Sequence, residues 1–136
     1  MDSELQVRVA RPTRELDAAV SFYTLLGLPV LSSFEDHDGY SGVILGLPDA
    51  SRQLELVYRD GEVPSPTPED QLVLYLGSAE RVEAAAARIS AAGFEPGPPA
   101  NPYWARTGAV GFVDPDGYRL ALSPESWGSH GGEAPK

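Results

Sequence analysis

From Leu5 to Ala10 apolar and polar residues alternate. Leu5, Val7 and Val9 share one face and Gln6, Arg8 and Ala10 the other, which predicts a half-buried strand ended by Arg11-Pro12. Over Thr13–Leu26 the spacing changes. Leu16, Ala19, Val20 and Tyr23 recur at helical intervals, with Thr13 as N-cap and Gly27 as the stop. Leu28–Phe34, Tyr40–Leu47 and Arg52–Tyr58 read as strands, separated by the polar turns Glu35–Gly39 and Pro48–Ser51. In the last of these strands Leu54 and Leu56 face the core and Glu55 faces away. Pro64, Pro66 and Pro68 interrupt any helix or ladder between residues 60 and 70, which predicts a surface linker.

The pattern then restarts. Gln71–Leu76 is a predicted strand and Ser78–Ala92 a predicted helix, with Val82, Ala85, Ala86 and Ile89 on one face and Gly93 as its stop. Phe94–Pro96 begins another extended segment, Gly97–Asn101 is a loop and Tyr103–Thr107 extends again. Gly108–Val113 and Tyr118–Ser123 are strands around the turn Asp114-Pro115-Asp116-Gly117. Residues 124–136 read as a frayed tail.

The two halves repeat. At an offset of 66, Val82 falls on Leu16, Ala85 on Ala19, Ile89 on Tyr23, Gly93 on Gly27, Leu120 on Leu54 and Leu122 on Leu56. The first strands match better at 65, which sets Gln71 on Gln6. Each half reads strand–helix–strand–strand–strand, and half a domain of this size buries too little surface to stand alone. The expected architecture is α+β: two paired βαβββ modules, residues 4–59 and 71–123 of a single domain spanning 1–123, forming a curved sheet around a central cleft.

Composition narrows the chemistry. The 136 residues contain no cysteine and two histidines, which excludes disulfides, thiolate metal sites and a cysteine nucleophile. Twenty acidic residues against ten basic ones give a charge of −10, unlike a phosphate-backbone binder, so no nucleic-acid partner is expected. No apolar run approaches the roughly 18 residues of a membrane span. The acidic start Met1-Asp2-Ser3-Glu4 lacks the apolar segment of a secretory signal. A cytoplasmic protein handling a small molecule is the expectation. Nucleotide-binding glycine loops are absent, and Asp114–Gly117 lacks the spaced ligands of a calcium loop.

Three segments carry a family resemblance: Phe22-Tyr23-Thr24-Leu25-Leu26-Gly27-Leu28, Gln53-Leu54-Glu55-Leu56-Val57-Tyr58 and Phe112-Val113-Asp114-Pro115-Asp116-Gly117-Tyr118. With them the chain resembles the vicinal oxygen chelate superfamily, the glyoxalase, bleomycin-resistance and extradiol dioxygenase group, from about Leu5 to Ser123. The resemblance implies a fold that hosts isomerases, lyases, dioxygenases and pure binders. It also implies a divalent metal held by the first and last strand of each module, usually by His and Glu. Carried across, those positions are Gln6, Glu55, Gln71 and Ala121. One carboxylate, two amides and a methyl group make a poor donor set, so no metal cofactor is expected. Homodimers are common in the group, and one is expected here.

Several residues are candidates for the site. Glu55 can act as general base or metal ligand, or pair with an inward cation, Arg8 or Arg119. Either arginine can instead hold a substrate carboxylate or phosphate. His37, in an acidic turn, is a candidate acid/base. Tyr40, Tyr75, Tyr103 and Trp104 offer aromatic walls, and Gln71 faces the same cleft. The expected function is binding of a flat or cationic organic ligand without a catalytic metal. The alternatives are a metal-dependent glyoxalase-, lyase- or dioxygenase-like enzyme using Glu55, and a metal-free enzyme acting on a natural-product intermediate with Glu55 or His37 as acid/base. If the protein is an enzyme, a lyase or isomerase of the glyoxalase type is expected.

Overall fold

A computed structural model describes residues 5–127, in two compact units that part between Ser65 and Pro66. Met1–Glu4 and most of the expected tail, including His130, lie outside the described residues.

The first unit runs β1 (Val7–Pro12), α1 (Leu16–Thr24), β2 (Val30–His37), β3 (Tyr40–Gly46) and β4 (Arg52–Arg59). Its sheet has the order β1-β4-β3-β2. The two hairpins are antiparallel, and β1 lies parallel to β4. A parallel pair needs a long connection, and here α1, β2 and β3 supply it. α1 packs on β3 and β4, where Ala19, Phe22 and Tyr23 are buried with Leu45, Leu54 and Leu56. Gly27 follows the helix at φ +83°, the left-handed backbone that ends helices and that glycine adopts without strain.

Three expectations fail at the start of this unit. Val7 and Val9 are not core residues but 50% and 51% exposed. β1 is the edge of its sheet and pairs on one side only, while α1 covers the strands beside it. The strand also continues through Pro12, because an edge strand has no second ladder for the missing N–H to break. Thr13 is not the N-cap. It is buried, its hydroxyl donates to the Glu15 carbonyl and accepts from the Glu15 amide, and the helix begins after Glu15.

The second unit runs β5 (Gln71–Tyr75), α2 (Ala79–Ala91), α3 (Pro102–Arg106), β6 (Val110–Val113) and β7 (Arg119–Ser123), with sheet order β5-β7-β6. Ser78 caps α2 by accepting the Arg81 amide at 3.2 Å. Val82, Ala85 and Ile89 are buried, as are Leu120 and Leu122 of β7, the strand α2 packs on. Here the repeat is imperfect. The strand expected after α2 is reduced to one bridge, Gly97 with Gly111. The segment 103–107, expected to be extended, is instead the short helix α3. Asn101 caps it by accepting the Tyr103 amide at 2.9 Å, and Pro102 fills a first-turn position where no N–H is needed. No helix among the described residues is long and apolar enough to cross a membrane.

Candidate functional site

In the first unit the face of the sheet opposite α1 carries Arg8, Gln53 and Glu55. Side chains paired across a ladder share a face, and β1 pairs Arg8 with Gln53 and Ala10 with Glu55. Arg8 Nε donates to Gln53 Oε1 at 2.7 Å, and its Nη1 lies 3.3 Å from Glu55 Oε1. Gln53 is itself oriented, because its Nε2 donates to the Ala50 carbonyl at 2.9 Å. The Glu55 side chain is 17% exposed and that of Arg8 is 47% exposed. Of the partners open to Glu55 from the sequence, Arg8 is the one it takes.

The ladder also redraws the internal repeat. In the second unit Gln71 pairs with Arg119 and Val73 with Ala121. Arg119 is the repeat partner of Gln53, so Gln71 takes the place that Arg8 holds in the first unit. Sequence offsets had set Gln71 on Gln6. The true pairing differs by two residues, which preserves the face but replaces an amide by a guanidinium. Gln6 is exposed and precedes β1.

The corner residues are therefore Arg8 and Glu55 in the first unit and Gln71 and Ala121 in the second. These do not fit a divalent metal. The guanidinium is a permanent cation without a lone pair to donate, Glu55 is already engaged by it, and Ala121 has no ligand atom. No group of three or more His, Cys, Asp or Glu side chains able to hold a metal ion occurs among the described residues.

The second unit holds the candidates Gln71, Tyr75, Tyr103, Trp104 and Arg119. A cavity of about 160 Å³ is lined by Gln71, Arg119, Val113, Glu95 and the loop Gly97–Pro99. A second cavity of similar volume is lined by Gln71 again, with Trp104, Asn101, Pro68 and Glu69. Trp104 is buried and meets Tyr75 and Tyr103 edge-on, with ring centroids 6.1 and 5.1 Å away. Burial pushes the Tyr75 hydroxyl above the ordinary phenol range, helped by Tyr103 and Glu125 nearby. Sequence reasoning missed Gln53, Glu95 and Glu69. Gln53 was legible, since it stands two residues from Glu55 on the same strand face. The two glutamates lie outside the strands, and only the cavities reveal them.

Tyr40 and His37 stand apart from Glu55. They pair with each other at the β2–β3 hairpin, whereas Glu55 pairs with Ile44, four positions further along β3. At about 3.4 Å per residue that is roughly 14 Å. Tyr40 instead takes Arg59, which stacks 5.3 Å from its ring centroid and donates to its hydroxyl at 3.3 Å.

Known proteins match this architecture. Residues 7–57 match the YycE-like N-terminal domain and residues 69–123 the YycE-like C-terminal domain. The uncharacterized protein YycE of Bacillus subtilis is 38% identical over 120 residues, covering 86% of each chain. A crystal structure of that species' YycE superposes with a TM-score of 0.84 at 35% identity, covering 90% of this chain and 91% of the other. Two more distant structures share the fold alone. The trypanothione-dependent glyoxalase I of Leishmania major has a TM-score of 0.69 at 23% identity, covering 90% of this chain and 88% of the other. TnmS3, an antibiotic-binding protein from a Streptomyces species, has 0.64 at 24%, covering 90% and 95%. The α+β modules, their internal repeat and these matches agree: the chain belongs to the YycE-like family, within the vicinal oxygen chelate superfamily.

Proposed function

We propose that this chain binds a small, flat organic molecule and does so without a catalytic metal. The observation that carries the reading is the Arg8–Glu55 pair at 3.3 Å. Glu55 is the sole carboxylate among the four corner positions, and a guanidinium beside it opposes a second cation by charge repulsion. The same pair bears on the ligand. An organic cation would have to displace Arg8 from Glu55, so the flat part of the expected ligand has better support than the cationic part. Tyr75, Tyr103 and Trp104 supply aromatic surface of the kind that recognises flat molecules. The fold shared with an antibiotic-binding protein agrees with a binding role.

The enzymatic alternatives rest on Glu55 and His37. Glu55 is held by Arg8, and His37 is exposed on a hairpin far from it. A homodimer remains part of the proposal. The exposed Leu5, Val7 and Val9 on the edge-strand side of the first unit are apolar surface that a second copy would cover.

Native mass spectrometry of freshly purified protein, followed by calorimetry with Ni²⁺, Zn²⁺ and Mn²⁺, tests the reading. The expected result is a dimer mass, a co-purified organic ligand or none, and no metal binding at micromolar concentration. Stoichiometric metal at micromolar affinity, lost in Glu55→Ala, refutes it.

A further inference from the structure

We infer that the second unit recognises a flat monocarboxylate, with Arg119 and Gln71 holding its carboxylate and Trp104 its ring. The inference rests on the small-molecule reading above and adds the ligand's charge class.

The two inward arginines differ. Arg8 is engaged by Gln53 and Glu55. Arg119 is half-buried, lines a cavity and makes no side-chain hydrogen bond or ion pair with any described residue. A guanidinium cannot shed its charge, and its planar fork of donors matches a carboxylate with two parallel hydrogen bonds. Gln71 pairs with Arg119 across the β5–β7 ladder, so both side chains rise from one face about 4.8 Å apart. The amide N–H of Gln71 is a second donor at the same place.

The surroundings limit the anion to a single charge. Glu95 lines the same cavity and is not paired with Arg119 among the described residues. A carboxylate leaves this cavity with one cation against two anions. A dianionic phosphate or phosphonate adds a third negative charge facing Glu95. Glu69 lines the second cavity, which directs the ligand's charge toward the Arg119 end. The volume is also informative. About 160 Å³ holds roughly five waters, enough for a charged head but not for a whole ligand of ordinary size. Gln71 lines both cavities, so a molecule with its carboxylate at Arg119 extends past Gln71 onto Trp104, whose ring Tyr75 and Tyr103 brace edge-on.

The test is an NMR shift titration of the full chain with four probes of one shape: naphthoate, naphthamide, naphthylphosphonate and naphthylmethylamine. The Arg119 side-chain and Trp104 indole N–H signals report the two ends. Naphthoate is expected to bind best, shifting both signals, with the neutral amide about tenfold weaker or more. Arg119→Gln removes that preference, and Arg119→Lys, which keeps the charge but loses the fork, retains part of it. Retained peak dispersion shows that each variant is folded. Equal binding of naphthamide or naphthylmethylamine, a preference for the phosphonate, or unchanged naphthoate affinity in a folded Arg119→Gln overturns the carboxylate inference and leaves the small-molecule reading intact. Failure of all four probes to bind overturns this inference and counts against that reading as well.

Discussion

Gly111→Ala is expected to destabilise the second unit, and Gly97→Ala, across the same bridge, is not. The two glycines exchange backbone hydrogen bonds, Gly97 N–H to the Gly111 carbonyl at 2.9 Å and the reverse at 2.7 Å. A Cβ on Gly111 would lie 3.0 Å from the Gly97 carbonyl oxygen and 3.2 and 3.3 Å from Pro99 N and Cα. All three are backbone atoms and cannot rotate away, so the loop must move by a few tenths of an ångström against those hydrogen bonds. Overpacking of this kind costs about 1–3 kcal/mol. Reduced freedom of the unfolded chain offsets about 0.4–1 kcal/mol of it. The net loss of about 1–2 kcal/mol lowers the urea midpoint by roughly 1 M for a slope near 1–3 kcal/mol/M. A Cβ on Gly97 meets nothing within 4 Å, so only the unfolded-state term acts and that variant is neutral or slightly stabilised. Urea unfolding followed by far-ultraviolet circular dichroism compares the two. Equal midpoints refute the argument. Because Pro99 lines the cavity beside Arg119, Gly111→Ala should also weaken naphthoate binding.

Three further outcomes are expected. A double-mutant cycle on Arg8→Ala and Glu55→Gln should give a coupling of only about 0.2–1 kcal/mol, because the Arg8 side chain is 47% exposed and water screens the pair; a coupling above about 2 kcal/mol contradicts that. Asp114 accepts the amides of Asp116 at 2.8 Å and Tyr118 at 2.9 Å while buried, so Asp114→Ala should lose about 2–3 kcal/mol in urea unfolding, with Asp114→Asn recovering part of it. The raised Tyr75 value means the folded state favours the protonated phenol; its stabilising contribution is present below the ordinary phenol range and is lost as pH rises through the raised value. Tyr75→Phe should therefore flatten the alkaline limb of a stability–pH curve, and an unchanged limb would show that Tyr75 does not set it.

The sequence by itself determined most of what is local. Helical spacing placed Ala19 and Tyr23, and then Val82, Ala85 and Ile89, on buried faces, because the α-helical repeat is a property of consecutive residues. Alternation placed Leu54 and Leu56 in the core and turned Glu55 away from it. The repeat at 66 gave the two-module plan. Local signals also marked α3, since Asn101-Pro102 is a cap followed by a first-turn proline, but the aromatic residues after it read equally well as a strand.

The tertiary structure decided which residues meet. Strand alternation fixes a face but not a register, and β1 reaches β4 only after some 40 residues of intervening chain. A slip of two leaves every apolar residue on its own side, so nothing in the pattern separates Gln6 from Arg8 as the partner of Gln53. That choice carries the chemistry, because it places a guanidinium against Glu55 and leaves Arg119 to the second unit's cavity. The burial of β1 was undetermined for the same reason. Val7 and Val9 carry the alternation of core residues, yet their exposure depends on where α1 packs, and it packs on β3 and β4.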